Sequence, residues 1–469
     1  PAKIKTIEVR FCGIIRNIHP FKTFFKKVLD AENESHYLRR SKSRPSLICR
    51  KQTMKNVLRL TCAVALLAGT LTGFAQDDKR IDALENQIRA MQQRLDKIKE
   101  ADAANRPPEW LNQVYGKGLT FNFYGEAKYN MTKGNNGNYF DPHRFVLIPG
   151  YKLSDNAYFN AEIEIEHGGV DDKDDSRFRG EVEIEQFYSD VKINDWLSWR
   201  SLGVSLIPVG SINLHHEPDQ FYSVHRPIMY KYIIPSTWME GSMGFFGDVP
   251  QVEGLSWFFL VSQGLSSANG SIADGSKGVR DARPGLNAKG DNRQLAYTMR
   301  LQYDGASSDT EWLKGFSGSA STFFGNYQET TTTDTDVYLW DLEAKYRWRD
   351  GFMKNFELIG DYAQWHFASP DAIADANVGD RMFGYRLELA YHHTLEGDQE
   401  LIPFFRLEGY DTSEGSKDSN AFADTGSSNY LTYGVYYQLN RHMELKAAVR
   451  QSMDDADNTE FSIGVGYQF

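Results

Sequence analysis

The chain has 469 residues, a formal charge of −11 and an aromatic content of 13%. Its basic residues gather near the start, so residues 76–469 hold 37 Lys and Arg against 59 Asp and Glu, a formal charge of −22. All three cysteines (Cys12, Cys49 and Cys62) also precede Gln76. This composition argues against a disulfide scaffold and against nucleic-acid binding. No later apolar run reaches the roughly 20 residues of a membrane helix.

The first 75 residues divide into two parts. Residues 1–53 are basic and have no periodic pattern, which predicts upstream translation that is absent from the working protein. A genuine basic extension is the alternative. Residues 54–75 have the layout of a secretory signal peptide, with a short positive segment, an apolar run from Leu60 to Leu71, and Gly73 and Ala75 before the cleavage site. We therefore expect an exported protein.

Residues 76–106 are predicted to form a short periplasmic coiled coil, followed by a linker at 107–117. The apolar positions repeat at spacings of three and four, which is the seam of a coiled coil: Ile81, Leu84, Ile88, Met91, Leu95 and Ile98. An amphipathic helix lying on the next domain is the alternative, although its stripe is usually wider. Three heptads are marginal alone, so assembly would also depend on the rest of the chain.

From Gly118 onward the apolar residues recur at every second position. Strands are predicted at 119–129, 142–153, 157–167, 180–193, 199–209, 241–248, 254–263, 293–304, 315–328, 336–348, 354–367, 381–393, 400–411, 429–439, 443–451 and 460–469. The apolar faces end in aromatic residues, and short connections alternate with long ones. These features predict an all-β fold over 118–469, a 16-stranded antiparallel transmembrane β-barrel in the outer membrane with both termini in the periplasm. An error in one boundary would give fourteen or eighteen strands.

The stretch 211–240 joins the fifth and sixth predicted strands. Pro218, Pro227 and Pro235 prevent a continuous strand or helix, while its aromatic residues need a surface on which to pack. A long loop of this kind is usually functional. By this count the stretch is the third outer loop, and its resemblance to the third loop of sixteen-stranded porins implies that it folds into the barrel and forms a constriction.

The signal peptide, the coiled coil, the barrel and the terminal Phe469 together resemble the phosphate-selective porin O and P family of Bacteroidetes-type outer membranes. The most specific part is the segment from Pro208 to Pro218, continuing through Arg226-Pro227 to Trp238. The resemblance covers about residues 76–469. It implies a porin that assembles as a trimer and passes phosphate or polyphosphate. Here the trimer would form through the barrel and the coiled coil.

Two groups of charged residues are candidates for the channel. The predicted constriction consists of His215, His216, Glu217, Asp219, His225, Arg226 and Lys231. The predicted pore lining consists of Glu162, Glu164, Glu166, Glu183, Glu185, Arg300, Arg347, Arg386, Arg406 and Arg450. A phosphate channel needs stacked basic residues, and the acidic group argues against that selectivity. The basic residues alternate with acidic ones, so wall-stiffening salt bridges are the alternative to a role in conduction.

The predicted function is a passive diffusion channel for small hydrophilic solutes or ions. A phosphate- or anion-selective channel and a plugged structural or adhesive barrel are the alternatives. The chain shows no enzyme motif in a suitable context. Adjacent His215 and His216 lack the spacing of a helical zinc site, so no metal or other cofactor is expected there. The acidic run 171–175 is either a solvated loop or a Ca²⁺ site.

Overall fold

The computed structural model describes residues 118–133, 137–170, 180–267, 272, 278–284, 294–328, 334–369, 379–414, 427–455 and 458–469. The chain separates into two units, residues 1–106 and 107–469, and all described residues belong to the second. The predicted upstream segment, signal peptide, coiled coil and linker lie outside the described residues. So does the acidic run 171–175.

Sixteen long strands follow one another along the described chain. They are β1 (Leu119–Thr132), β2 (Asn138–Lys152), β3 (Ala157–Glu166), β4 (Val182–Lys192), β5 (Ser198–Leu206), β6 (Met239–Asp248), β7 (Leu255–Gln263), β8 (Leu295–Asp304), β9 (Phe316–Gln328), β10 (Asp334–Arg347), β11 (Phe356–Phe367), β12 (Arg381–Tyr391), β13 (Glu400–Glu414), β14 (Ser427–Asn440), β15 (Met443–Ser452) and β16 (Thr459–Gln468). Two-residue strands at Leu265–Ser266 and His393–Thr394 add short pairings to β9 and β13.

The helical segments in the described residues are short. Two are single α-turns, α1 (Ser211–Leu214) and α2 (Met229–Tyr232), and four are 3-10 turns at Pro218–Gln220, Arg280–Ala282, Gly305–Ser307 and Glu311–Gly315. Among the described residues, no helix is long and apolar enough to span a bilayer.

The strands form one closed antiparallel barrel. Each long strand pairs with the next one along the chain, and β1 pairs with β16 from Tyr124 opposite Gln468 to Thr132 opposite Glu460. The remaining neighbours, β8 to β15, pair in the same way. The predicted 16-stranded antiparallel barrel is confirmed. Closure leaves no strand edge unpaired.

The two faces of the barrel differ in the way that the alternation predicts. On β8, Met299 and Leu301 point outward and are 46% and 43% exposed, whereas Arg300 between them points inward and is 3% exposed. The same outward exposure of large apolar residues recurs around the ring, for example at Phe187, Phe245, Phe324, Trp340, Leu387, Phe405 and Ile463. An apolar outer band around a polar interior is the arrangement of a transmembrane barrel.

This orientation predicts the effect of a charge on the outer face. Met299→Arg is expected to destabilise the barrel in a bilayer by roughly 2–4 kcal/mol, because the guanidinium would face hydrocarbon near the middle of a strand. Phe352→Arg is the matched control, since Phe352 lies 94% exposed in the turn between β10 and β11. Equilibrium unfolding from lipid vesicles measures both. Equal stability of the two variants would contradict the assignment of the outer face.

Candidate functional site

The loop between β5 and β6, residues 207–238, lies inside the barrel and is named the inner loop. The predicted bounds of 211–240 are shifted, because β5 ends at Leu206 and Met239 already pairs with it as the first residue of β6. Pro208 has no amide hydrogen with which β5 could continue.

The two ends of the inner loop are held side by side. The Ile207 amide donates to the Trp238 carbonyl at 2.8 Å. The Asn213 side chain donates to the Ile207 carbonyl at 2.8 Å and accepts from the Trp238 amide at 2.7 Å. Gly210 has a φ of 73°, and a Cβ there would lie 2.6 Å from the Tyr230 ring. The loop therefore leaves and re-enters the wall at one place.

A buried apolar core fills the space between the inner loop and the wall strands β9 to β12. Ile233 and Trp238 of the loop and Phe323 and Trp365 of the wall are completely buried. The Trp238 ring lies 5.0 Å from the Phe323 ring and 5.8 Å from the Trp365 ring, between centroids. Trp365 Nε1 donates to the Ile233 carbonyl at 2.8 Å. Burial of these side chains favours the position of the loop inside the lumen.

This core departs from the polar inner face that the alternation predicts. On β10 the inward positions include Val337 and Leu339, which are completely buried, as well as Asp341. From Val337 to Trp340, β10 is apolar on both faces. The alternation of polar and apolar residues therefore did not show which side chains of β10 contact the inner loop.

One carboxylate on β10 binds the start of the inner loop. Glu343 Oε1 accepts from the Ser211 amide at 2.6 Å and from the Tyr230 hydroxyl at 2.5 Å. Its other oxygen, Oε2, accepts from Ser319 at 2.6 Å and from Arg300 Nη2 at 3.1 Å. These bonds fix the first turn of the loop against β10.

The inner loop reaches the opposite wall a few residues later. Arg144 on β2 donates from Nη2 to the His216 carbonyl at 2.5 Å. Because β2 and β10 are eight strands apart in a ring of sixteen, the segment from Ser211 to His216 joins opposite sides of the barrel. The loop crosses the lumen.

The middle of the inner loop is bound to further wall strands. Lys446 on β15 donates to the Phe221 carbonyl at 2.9 Å. Gln468 on β16 donates to Asp219 at 3.0 Å. Tyr222 of the loop donates to Glu357 on β11 at 2.6 Å. The backbone amide of Ile228 donates to Glu408 on β13 at 2.7 Å. The loop is a rigid part of the interior because both its backbone and its side chains are bound.

The acidic residues of β3 and β4 gather around one turn of the inner loop. His216 Nε2 lies 3.5 Å from Glu185 Oε2 and 3.8 Å from Glu162 Oε1. Arg144 Nη1 lies 3.7 Å from Glu164 Oε1. Burial lowers the pKa of His216 to about 4, and burial also lowers the pKa of the nearby Arg226. Two members of the predicted acidic group, Glu162 and Glu185, thus lie directly beside His216 of the inner loop.

The structure places the other predicted constriction residues in different surroundings. His225 Nε2 lies 2.6 Å from Glu460 Oε1 and 3.0 Å from Asn130 Oδ1, so it is bound to the wall. Glu217 is half-buried, and its Oε2 has no hydrogen-bond partner among the described residues. His215 and Lys231 are exposed. The adjacent side chains of His215 and His216 therefore lie in different environments, since His215 is exposed and His216 is buried. That the seven residues restrict passage stays a prediction.

Each basic residue of the predicted pore lining lies beside a carboxylate. The separations are 3.1 Å for Arg300–Glu343, 3.1 Å for Arg347–Glu400, 2.5 Å for Arg386–Asp361 and 3.0 Å for Arg450–Glu460, and Arg406 donates to Glu388. Three of these pairs are directly opposite across neighbouring strands: Asp361 and Arg386, Glu388 and Arg406, and Arg450 and Glu460. Such pairs stiffen the wall. Their part in conduction stays a prediction.

The residues of the site that were not predicted include Arg144, Trp365 and Asn213. Arg144 could have been found from its place on the inner face of β2, next to the outward Phe145. Trp365 could not have been found in this way, because it alternates with the polar Gln364 on β11 and the pattern alone would place it on the outer face. Asn213 gave no signal, because its two bonds depend on how the ends of the loop meet.

Open space remains beside the inner loop. A cavity of about 340 Å³ lies between Pro208 and Leu214 of the loop and the wall from β4 to β8, including Arg300. A second cavity of about 320 Å³ lies at the turns that follow β2 and β4 and is lined by Lys152, Asp190 and Ser198. The first cavity therefore leaves solvent-sized space between the inner loop and the wall.

The closed barrel, its apolar outer band and its polar interior define a transmembrane β-barrel of the outer-membrane kind. No protein-family model matches the chain. Membership of the phosphate-selective family stays a prediction. The chain is 28% identical over 367 residues to an uncharacterized protein of Aquifex aeolicus (strain VF5), covering 75% of this chain and 80% of that protein.

The chain has low similarity to several solved structures, each with a TM-score below 0.5. OmpF of Salmonella typhi, solved with daunomycin, is 15% identical with a TM-score of 0.49, covering 76% of this chain and 99% of OmpF. The anion-selective porin of Comamonas acidovorans is 14% identical with a TM-score of 0.49, covering 75% and 99%. The channel DcaP of Acinetobacter baumannii is 13% identical with a TM-score of 0.48, covering 75% and 97%. Likeness at this level identifies neither a family nor an activity.

Proposed function

We propose that the chain is an outer-membrane porin, a passive and non-enzymatic diffusion channel for small hydrophilic solutes or ions. The observation that carries the proposal is the inner loop, which crosses the lumen from Glu343 on β10 to Arg144 on β2 and leaves open cavities beside it. A loop bound across a 16-stranded barrel narrows an otherwise wide aqueous channel. Solutes would pass between the loop and the wall.

The same contacts favour a second candidate. The inner loop is bound to β1, β2, β10, β11, β13, β15 and β16. A loop attached on so many sides also suits a plugged structural barrel that does not conduct. Conductance separates the two candidates.

The acidic residues support a preference for cations. Glu166 and Glu183 are half-buried at the adjoining ends of β3 and β4. Rings and clusters of carboxylates attract cations into a pore. Every basic residue of the predicted pore lining, in contrast, has a carboxylate beside it. A phosphate-selective channel is therefore the less supported alternative.

Single-channel recording in planar bilayers tests this function. The full-length barrel is expected to conduct, with a reversal potential in a KCl gradient that indicates cation preference. The double variant Glu166→Gln with Glu183→Gln should reduce that preference, because two carboxylates are removed. Glu253→Gln is the matched control, since Glu253 is exposed in the turn between β6 and β7. A trimer, which we also propose, would close in three equal steps.

Three results would contradict parts of the proposal. A wild-type chain that folds and inserts without conducting would exclude the porin. Anion preference would instead favour the phosphate-type alternative. A cation preference that the double variant leaves unchanged would place the selectivity elsewhere in the lumen.

A further inference from the structure

Several buried polar atoms without hydrogen-bond partners lie close together around the turn after α1. Among the described residues, Oε1 and Oε2 of Glu185 and Nε2 of His216 have no hydrogen-bond partner, and both side chains are at least 97% buried. Glu217 Oε2 is also without a partner. A buried polar group without a partner is destabilising. This cluster therefore needs an explanation.

The hydrogen bonds of His216 define which ring nitrogen faces the carboxylates. Nδ1 lies 3.1 Å from the Asn213 carbonyl oxygen, and a carbonyl only accepts, so Nδ1 carries the proton. In the neutral ring, Nε2 then carries a lone pair that is directed at the carboxylates of Glu162 and Glu185. The three facing atoms are then all acceptors, with no donor among them. A backbone carbonyl that fixes the tautomer in this way is typical of a metal-binding histidine.

The carboxylate of Glu162 is oriented in a similar manner. Its Oε1 accepts from the Tyr124 hydroxyl at 3.0 Å, and its Oε2 accepts from the Gln186 side chain. Hydrogen bonds of this kind hold the ligands of a metal in place.

We propose that Glu162, Glu185 and His216 bind one divalent transition-metal cation of the Zn²⁺ class. Their three ligand atoms lie within 4.8 Å of one another, with 3.5 and 3.8 Å between Nε2 and the two carboxylates. Ligands at about 2.0–2.2 Å from a tetrahedral metal are roughly 3.3 Å apart, so small side-chain shifts close the site. One imidazole and two carboxylates suit zinc.

The local charge also favours a dication. Four carboxylates lie here, Glu162, Glu164, Glu185 and Glu217, and two guanidiniums, Arg144 and Arg226, act on them. Arg144 is in addition bound to Glu126. A divalent cation bound by two of these carboxylates would offset the cost of taking them out of water.

The bound metal would connect the inner loop to the wall. His216 belongs to the loop, whereas Glu162 and Glu185 belong to β3 and β4. Metal binding would thus tie the turn after α1 to this side of the barrel, and it does not depend on whether the barrel conducts.

Metal titration of the full chain folded in detergent tests the site. Metal-free protein is expected to bind one Zn²⁺ per chain at this site, and Co²⁺ should give the visible absorption of a tetrahedral centre. His216→Gln and Glu185→Gln should each weaken the affinity by at least about tenfold. His215→Gln is the matched control, because the neighbouring His215 is exposed, and it should bind as the wild type does.

The metal titration must also distinguish this site from a second cluster of possible metal ligands. Asp141, His143 and His167 lie together at the ends of β2 and β3, but their hydrogen bonds of 3.1 and 2.6 Å already satisfy both carboxylate oxygens of Asp141. His167→Gln removes that cluster and should leave the tetrahedral Co²⁺ spectrum unchanged. Heat-modified gel mobility confirms that each variant is folded, and Glu185→Gln decides the outcome if His216→Gln does not fold. An affinity that the folded variants leave unchanged would overturn the proposal, as would a wild-type chain that binds no metal at micromolar concentration.

Discussion

Replacing residues 209–236 with a four-residue glycine-rich turn is expected to raise the single-channel conductance by at least about threefold, since a 16-stranded barrel without an inner loop leaves a wide aqueous channel. The replacement removes the part of the inner loop that crosses the lumen between β10 and β2. Planar-bilayer recordings of the variant and the wild type in the same salt measure the change.

The structure makes this replacement feasible. Ile207 and Trp238 are hydrogen-bonded to each other, so a short hairpin turn can join Pro208 to Thr237. The wall strands pair with one another without help from the loop. We expect a less stable barrel, because Phe323 and Trp365 lose their apolar cover, but a closed one.

The same experiment decides between the two candidate functions. A glycine replacement of the exposed turn 250–253 is the control and should leave the conductance unchanged. A wild-type chain that is silent while the loop variant conducts identifies a plugged barrel. Equal conductance of the wild type and the loop variant would show that the inner loop does not restrict passage.

Arg406→Met is expected to lower the free energy of unfolding by about 3–5 kcal/mol, because removing one member of a buried ion pair leaves its partner uncompensated. Arg406 and Glu388 are 1% and 0% exposed, and Arg406 donates to Glu388. Without Arg406, the nearest described guanidinium to Glu388 is that of Arg386, at 4.0 Å. Equilibrium urea unfolding, followed by tryptophan fluorescence, measures the loss.

Two further variants separate this effect from a general loss of positive charge. Arg441→Met breaks an exposed pair with Asp398 at 2.8 Å and should change the stability by less than about 1 kcal/mol. The double variant Arg406→Met with Glu388→Met should recover part of the loss, since it removes both charges of this pair and leaves only Glu408, 3.7 Å from Arg406, without the guanidinium. If Arg406→Met is as stable as the wild type, Glu388 either binds another partner or becomes protonated in the variant.

The strands could be predicted from the sequence because their signal is local. Met299 and Leu301 alternate with Arg300, and this period of two by itself defines which residues face lipid. The number of strands followed from the turns between them. The ends of the strands were harder to predict where the backbone pairing continues beyond the alternating residues. For example, β1 reaches Thr132 and β2 starts at Asn138, because the two strands still pair near their hairpin connection.

The course of the inner loop could be predicted only in part. Its prolines and aromatic residues indicated a loop that packs inside the barrel, but not which wall it contacts. The position of Trp238 against Trp365, and of Ser211 against Glu343, depends on strands more than a hundred residues away. No local pattern carries that information.

The sequence by itself determined the barrel, its lipid-facing surface and the presence of a specialised loop, since each depends on residues close together in the chain. Only the tertiary structure decided that the loop crosses the lumen and that His216 meets Glu162 and Glu185 while His215 does not. The physical reason is that closing the barrel sets the distance between opposite walls. The buried partners of each loop residue follow from that distance and from the need to satisfy every polar group taken out of water.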